Sequence, residues 1–210
     1  LSLEQGQCLA ILGANGAGKS SVLGAISGLV RPVRGTIHLD GTRIDRLRAD
    51  LIRGRGILHV PEGRGVFPSL TVADNLRVLL GPDKVGRARV LEQFPKLAER
   101  LQQTAGTMSG GEQQMLALAP AIAGDQQVLL VDELSLGLAP LIVDALFTHL
   151  EEIRASGVSM IIVEQFAERA LGLADTAIVM RKGEAVYEGA ASDLASQPEL
   201  LRSLYFGAAA

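Results

Sequence analysis

At 210 residues the chain is long enough to bury a sizeable core, as one domain or one domain with an inserted lobe, and too short for two unrelated domains. Its 20 basic and 23 acidic residues leave a formal charge of −3, with no basic stripe and no aromatic interleaving, which argues against nucleic acid as a partner and lends nothing to a membrane-surface role. Hydrophobic residues reach 48 %, yet no apolar run attains the roughly 18 residues of a membrane span, so the excess is expected in buried parallel strands.

The opening LSLEQGQCLA lacks a methionine and reads as the middle of a β-rich region, so the true start is expected upstream. Its Cys8, the single cysteine, rules out an internal disulfide, suits a reducing compartment and is expected in a core strand. Gln7 to Leu12 reads as a strand that runs into GANGAGKSS, and SVLGAISGL after it has helical spacing. GTIHLDGTRI predicts two short strands about an Asp40-Gly41 turn, and Ile57 to Val60 a further short strand. From Pro61 the turn residues of PEGRGVFPS give way to TVADNLRVLL, a helix capped by Thr71, then a break at Gly81-Pro82 and a helical stretch near Arg87 to Leu101.

In MSGGEQQM, Ser109 with Glu112 three places on forms a capping box ahead of an amphipathic helix. Capping does not need Gly110 and Gly111, each of which costs about 0.5–1 kcal/mol against alanine within a helix; what they offer is backbone that something outside the chain can approach. QQVLLVDE returns to a buried strand. A helix from about Pro140 to Ser156, a strand Val158 to Val163, a helix near Ala167 to Leu173 and strands Thr176 to Arg181 and Ala185 to Tyr187 about a Lys182–Glu184 turn complete the pattern. Strands alternating with helices predict an α/β fold with a mostly parallel sheet, and residues 62 to 124 a helical lobe inserted into it. His38, His59 and His149 lie apart without ligand-like spacing and are expected to be ordinary positions. The Ala208–Ala210 tail is the one biased tract.

Gly13, Ala14, Asn15, Gly16, Ala17, Gly18, Lys19 and Ser20, followed by Ser21, fit the phosphate-cradling P-loop pattern in full, between a strand and a helix as that pattern requires. The glycines let successive amides point at phosphate oxygens, the helix N-terminus adds positive potential, Lys19 reaches the β and γ phosphates, and Ser20 ligates Mg²⁺. The run Val128 to Glu133 is a strand ending in two carboxylates at the edge where open α/β sheets bind ligands. There Asp132 can hold Mg²⁺ and Glu133 can orient and deprotonate an attacking water.

The P-loop, MSGGE and the VDE strand, in this order over nearly the whole chain, resemble the nucleotide-binding subunit of an ABC transporter. MSGGE is similar to that family's LSGGQ signature, with Met108 and Glu112 substituted. The resemblance implies a P-loop NTPase fold with a RecA-like core (about 1–61 and 125–210) and a helical signature subdomain (about 62–124), with ATP and Mg²⁺ as ligands. It also implies head-to-tail pairing with a second ATPase subunit, self or related, whose ATP would meet Ser109, Gly110, Gly111 and Glu112. Glu62 stands where the family usually has the Q-loop glutamine, near metal and water, and Gln165 where most members have a switch histidine. Gln165 can hydrogen-bond a γ-phosphate but cannot carry a proton.

HVPEGRGVFPSLTVADNL, AGTMSGGEQQM, DELSLGLAP and VEQ are similar to the ATPases of branched-chain amino-acid importers, and of related urea and amide importers. That likeness implies membrane permease subunits as partners, a solute-binding protein indirectly, and a place at the cytoplasmic face of the membrane. Two alternatives stay open: a regulatory subunit that binds ATP but hardly hydrolyses it, and a soluble ABC ATPase of DNA repair or translation. Three departures bear on them. Leu134 replaces the proline that follows the catalytic glutamate and is expected to loosen the turn holding Glu133. Pro120 predicts a kink or early helix end near Ala119. No aromatic residue for stacking adenine precedes the P-loop, so adenine binding is expected to be weakened.

Overall fold

The computed structural model describes residues 1–63 and 65–206; Arg64 of the PEGR stretch and the Ala208–Ala210 tail lie outside the described residues. Six strands form one sheet in the order β4 (Ile57–Val60), β5 (Val128–Asp132), β6 (Ser159–Val163), β1 (Cys8–Leu12), β7 (Thr176–Arg181) and β8 (Glu184–Ala190). Every pairing is parallel except β7 with β8. Strand β1 lies at the centre, with Ala10 opposite Ile162 on one side and Ala177 on the other. All five of its residues are buried, and the two-residue alternation divides them: Cys8, Ala10 and Leu12 enter one apolar layer, Leu9 and Ile11 the other. Burial on both faces accounts for the apolar excess of the sequence. It also pushes the Cys8 thiol up to about 12, as a core strand position requires.

One layer is closed by α8 (Pro140–Ala155), which buries Val143, Leu146, Phe147, Leu150 and Ile153, and by α9 (Ala167–Leu173) and α10 (Ala191–Ala195). The other is closed by α1 (Lys19–Ile26) and α2 (Ala49–Arg53). The small hairpin of β2 (His38–Leu39) and β3 (Thr42–Arg43) turns at Asp40-Gly41, where both residues take the positive φ, 48° and 74°, of a two-residue turn.

A third apolar cluster, Val72, Leu76, Val90, Phe94, Leu97, Met108 and Leu116 among its members, is built by α3 (Val72–Leu80), α4 (Lys84–Gln93), α5 (Pro95–Glu99), α6 (Gly110–Ala117) and α7 (Ala119–Ala123). Thr71 caps α3, accepting the Asp74 amide at 3.1 Å. The helical stretch expected from Arg87 to Leu101 is two helices. Asp83 caps α4 three residues early, and Phe94 leaves the helical region, which a following proline disfavours, at φ −121° and ψ 75°. Pro120 has the expected effect: α6 ends at Ala117, and α7 restarts with the proline in its first turn. The cluster joins the sheet layer where the Phe94 and His149 rings meet edge to face, centroids 4.8 Å apart, and where Gln93 donates to Glu152 at 2.6 Å.

Helices α2, α10 and α11 (Pro198–Phe206) carry no signal in the sequence reading. Two of them are single turns of five residues, too short for a 3.6-residue period to show.

Candidate nucleotide site

Strand β1 hands the chain to Gly13, whose φ is +145° and where an added Cβ would lie 2.2 Å from the Met180 carbonyl oxygen of β7. Only glycine permits that approach. From the far side, the Gly183 amide of the β7–β8 turn donates to the Ala17 carbonyl at 3.0 Å, so the loop is held between two segments of the sheet. Gly18, at φ 101°, starts α1 without any side-chain cap, which leaves the first-turn amides available to an anion.

Lys19 is 5 % exposed. Its ammonium donates to the carbonyls of Gly13 (2.9 Å) and Ala14 (3.4 Å) and lies 3.3 Å from Glu133 Oε1. Beside it, Ser20 Oγ donates to Asp132 Oδ1 at 3.1 Å, which brings the P-loop against the end of β5. Burial raises the Asp132 carboxyl above its ordinary value; the Ser20 hydroxyl and Lys19 pull it down, and the charges of Glu133 and Glu62 push it up further. Glu62 itself is exposed at the edge of this group.

Glu133 takes a left-handed backbone, φ +46°, unusual for a residue with a Cβ. The turn it opens is closed: its amide donates to the Val163 carbonyl at 2.8 Å, and the Leu136 amide returns to its own carbonyl at 3.2 Å. Leu134, expected to loosen the turn, is instead fully buried in the same layer as β1 and α8. An apolar side chain inserted into the core anchors the turn where a proline would have stiffened it.

A buried amine, an uncapped helix start, a hydroxyl and a carboxylate suit a triphosphate with its cation. Lys19 and the loop amides would take phosphate oxygens. Ser20 and Asp132 would supply oxygens to a Mg²⁺. Asn15, Gly16 and Ser21 complete the stretch around them.

The signature stretch is built differently. Ser109 accepts the Glu112 amide at 3.4 Å and donates its own amide and hydroxyl to Glu112 Oε2, both at 2.9 Å. Arg100 pairs with the other carboxylate oxygen at 3.0 Å. Burial raises the Glu112 carboxyl, but the Ser109 groups, Arg100 and Lys96 outweigh it and hold it below the usual carboxylate range. Ser109 is exposed and Gly110 half-exposed. Gly111 is neither: it is buried, and a Cβ there would fall 2.6 Å from Ile142 Cγ2. A side chain at the second glycine would therefore press on α8, a packing reason for glycine that stands beside the expected one of backbone open to an outside partner.

Lys19, Ser20, Asp132 and Glu133 thus form one contacting group. Among the described residues no hydrogen bond or ion pair ties Ser109–Glu112 to the P-loop, and Gln165 is exposed at the end of β6. Sequence reading passed over Glu164, fully buried next to Gln165, whose carboxyl receives the Ser135 hydroxyl and which burial pushes up to about 7. A charged residue inside the apolar VEQ strand end was the available signal. It also passed over Asn75, buried in α3, whose amide group ties down the Phe67 amide (2.7 Å) and carbonyl (3.0 Å) of the loop after Glu62.

A family model described as ABC transporter matches residues 1–135. The chain is 42 % identical over 212 residues to the high-affinity branched-chain amino acid transport ATP-binding protein BraG of Pseudomonas aeruginosa, spanning 99 % of this chain and 91 % of that one. It is 32 % identical over 200 residues to the probable branched-chain amino acid transport ATP-binding protein LivF of Archaeoglobus fulgidus, spanning 91 % and 84 %. Relatives named for phosphonate and for cobalt import match as well. A solved structure of an ATP-binding subunit of an ABC transporter superposes with a TM-score of 0.79 at 27 % identity, over 97 % of this chain and 88 % of that one.

Proposed function

The chain belongs to the ABC transporter family and is an ATP-binding ATPase subunit coupled to transport; on that premise we propose that it powers the import of branched-chain amino acids from the cytoplasmic face of the membrane. One observation carries the hydrolytic reading: the Lys19 ammonium lies 3.3 Å from Glu133 Oε1, next to the Ser20–Asp132 contact. Phosphate-binding and water-activating groups are then within reach of the same atom.

When ATP binds, Lys19 exchanges the Gly13 and Ala14 carbonyls for terminal phosphate oxygens, and the loop amides and the start of α1 hold the rest of the chain of phosphates. Ser20 and Asp132, with Glu62 at the edge, would hold Mg²⁺, which when bound would supply positive charge against the phosphates. Glu133 accepts a proton from the attacking water, and Gln165 orients the γ-phosphate through its amide. Ser109, Gly110 and Gly111 serve a second ATPase subunit, and that subunit's signature serves this P-loop. The sheet with residues 1–61 and 125–210 acts as the core and residues 62–124 as the lobe that carries the signature. Permease subunits hold the pair, and a solute-binding protein delivers solute to them.

Phosphate release with Mg²⁺ and ATP, beside Lys19→Ala and Glu133→Gln, tests the reading. Turnover reduced at least 100-fold in both variants is expected, with nucleotide binding kept only in Glu133→Gln. An inactive wild-type chain that still binds ATP through Lys19 would leave a non-hydrolysing subunit. Uptake of leucine rather than urea by cells supplying the permease and binding protein tests the solute.

A further inference from the structure

Glu164 is the last residue before the exposed Gln165, and its side chain is completely buried. Among the described residues no cation pairs with it. The Ser135 hydroxyl donates to one carboxyl oxygen, Oε2, while the other, Oε1, is buried with no hydrogen-bond partner. The backbone amides of Ser135 and Gln165 favour its charged form, and the charge of Glu133 opposes it. A carboxyl desolvated this fully and satisfied on one oxygen only costs the fold several kcal/mol as an ion, more than any single neutral hydrogen bond returns. Leucine would fill the space more cheaply, so the position makes sense for where it places its neighbour.

That neighbour sits on the turn that carries Glu133. Between the left-handed Glu133 and Ser135 stands Leu134, buried in the core, and Ser135 is itself completely buried. The turn is therefore fixed to the end of β6 at two points, the Glu133 amide on Val163 and the Ser135 hydroxyl on Glu164. One follows from sheet pairing that any sequence could make, the other depends on these two side chains.

We propose that Glu164 is a positioning residue for ATP hydrolysis: by holding Ser135 it locks the Glu133 turn to the strand end that presents Gln165, so that both polar groups meet the nucleotide as one rigid unit. This rests on the hydrolytic reading above. The partner oxygen needs only to accept a hydrogen bond, and an amide does that as well as a carboxylate.

The test is steady-state ATP turnover by the full chain, with thermal unfolding measured in parallel. Glu164→Leu and Ser135→Ala should each lower kcat by roughly 10- to 100-fold, the cost of displacing a reacting group by about an ångström, with KM for ATP within about twofold. Glu164→Gln should restore kcat to within about threefold of wild type. The double variant Glu164→Leu with Ser135→Ala should be no slower than the slower single one. Wild-type kcat in Glu164→Leu, or effects that multiply in the double variant, would overturn the inference. A kcat loss that tracks a lowered unfolding temperature would do so too, because the role would then be structural. Should the wild-type chain itself fail to hydrolyse ATP in a Lys19-dependent way, the hydrolytic reading falls first. Normal Lys19-dependent turnover in Glu164→Leu sinks the positioning role alone.

Discussion

The two glycine-bearing stretches of this chain, both assigned to phosphate in the proposed function, are built to opposite designs. At Gly13–Ser21 the functional atoms already touch one another: Lys19 reaches Glu133 and two loop carbonyls, and Ser20 reaches Asp132. At Ser109–Glu112 the polar atoms are turned on themselves in a capping box, braced by Arg100, with Ser109 exposed. The first stretch is assembled by the sheet, which brings β1, β5 and β7 together; the second is assembled locally and presented. On the proposed reading, the first stretch binds nucleotide within the chain and the second serves a partner subunit.

The sharpest way to break that comparison is to separate binding from turnover. Ser109→Ala should leave ATP affinity of the isolated chain within about twofold, measured with a fluorescent nucleotide, and lower turnover by about 10- to 100-fold, because a donor aimed at developing charge is lost only at the reacting stage. Loss of affinity equal to that of Lys19→Ala would mean the two stretches act as one site within the chain.

Proton linkage offers an effect of similar size. Glu164 titrates at about 7 in the fold against an ordinary 4.5. Between those values the native chain keeps a proton that the unfolded chain has lost, so stability must fall as pH rises through that window, by up to about 3 kcal/mol. Glu164→Gln should remove this slope, and urea unfolding at pH 5 and pH 7.5 measures it. Glu112, held low, contributes the opposite sign: its stabilisation is present above its ordinary value and is lost as pH falls below it.

The smallest effect belongs to Gly111. Alanine there would gain about 0.5–1 kcal/mol of helix propensity but press on Ile142, and overpacking of about 1–3 kcal/mol should dominate, for a net loss near 1 kcal/mol by denaturant unfolding. Adding Ile142→Ala should recover it. An unchanged midpoint in the single variant would remove the packing reason for Gly111 and leave open backbone as the remaining one.

What the sequence made legible follows the range of the interactions. The P-loop, the VDE strand, the Asp40-Gly41 turn, the Thr71 cap and the break at Pro120 are set by residues within one turn or one strand of each other. The break at Phe94 was legible in principle, since Pro95 is its cause. The anchoring of Leu134, the demand Ile142 places on Gly111 and the pairing of Glu164 with Ser135 join elements distant in the chain, and only the packed sheet brings them into contact. The family likeness pointed to the positions proposed to meet phosphate and was silent on what holds them.

Gly13 and Gly16 both have positive φ, yet an added Cβ at Gly16 meets nothing within 4 Å while at Gly13 it collides with the Met180 backbone. In a library of all substitutions, Gly16 would tolerate the few residues at ease in that conformation, asparagine among them, and Gly13 would stand empty. Every neighbour of Gly13 in the genetic code is closed to it, because this one carbonyl occupies the space that any side chain would need.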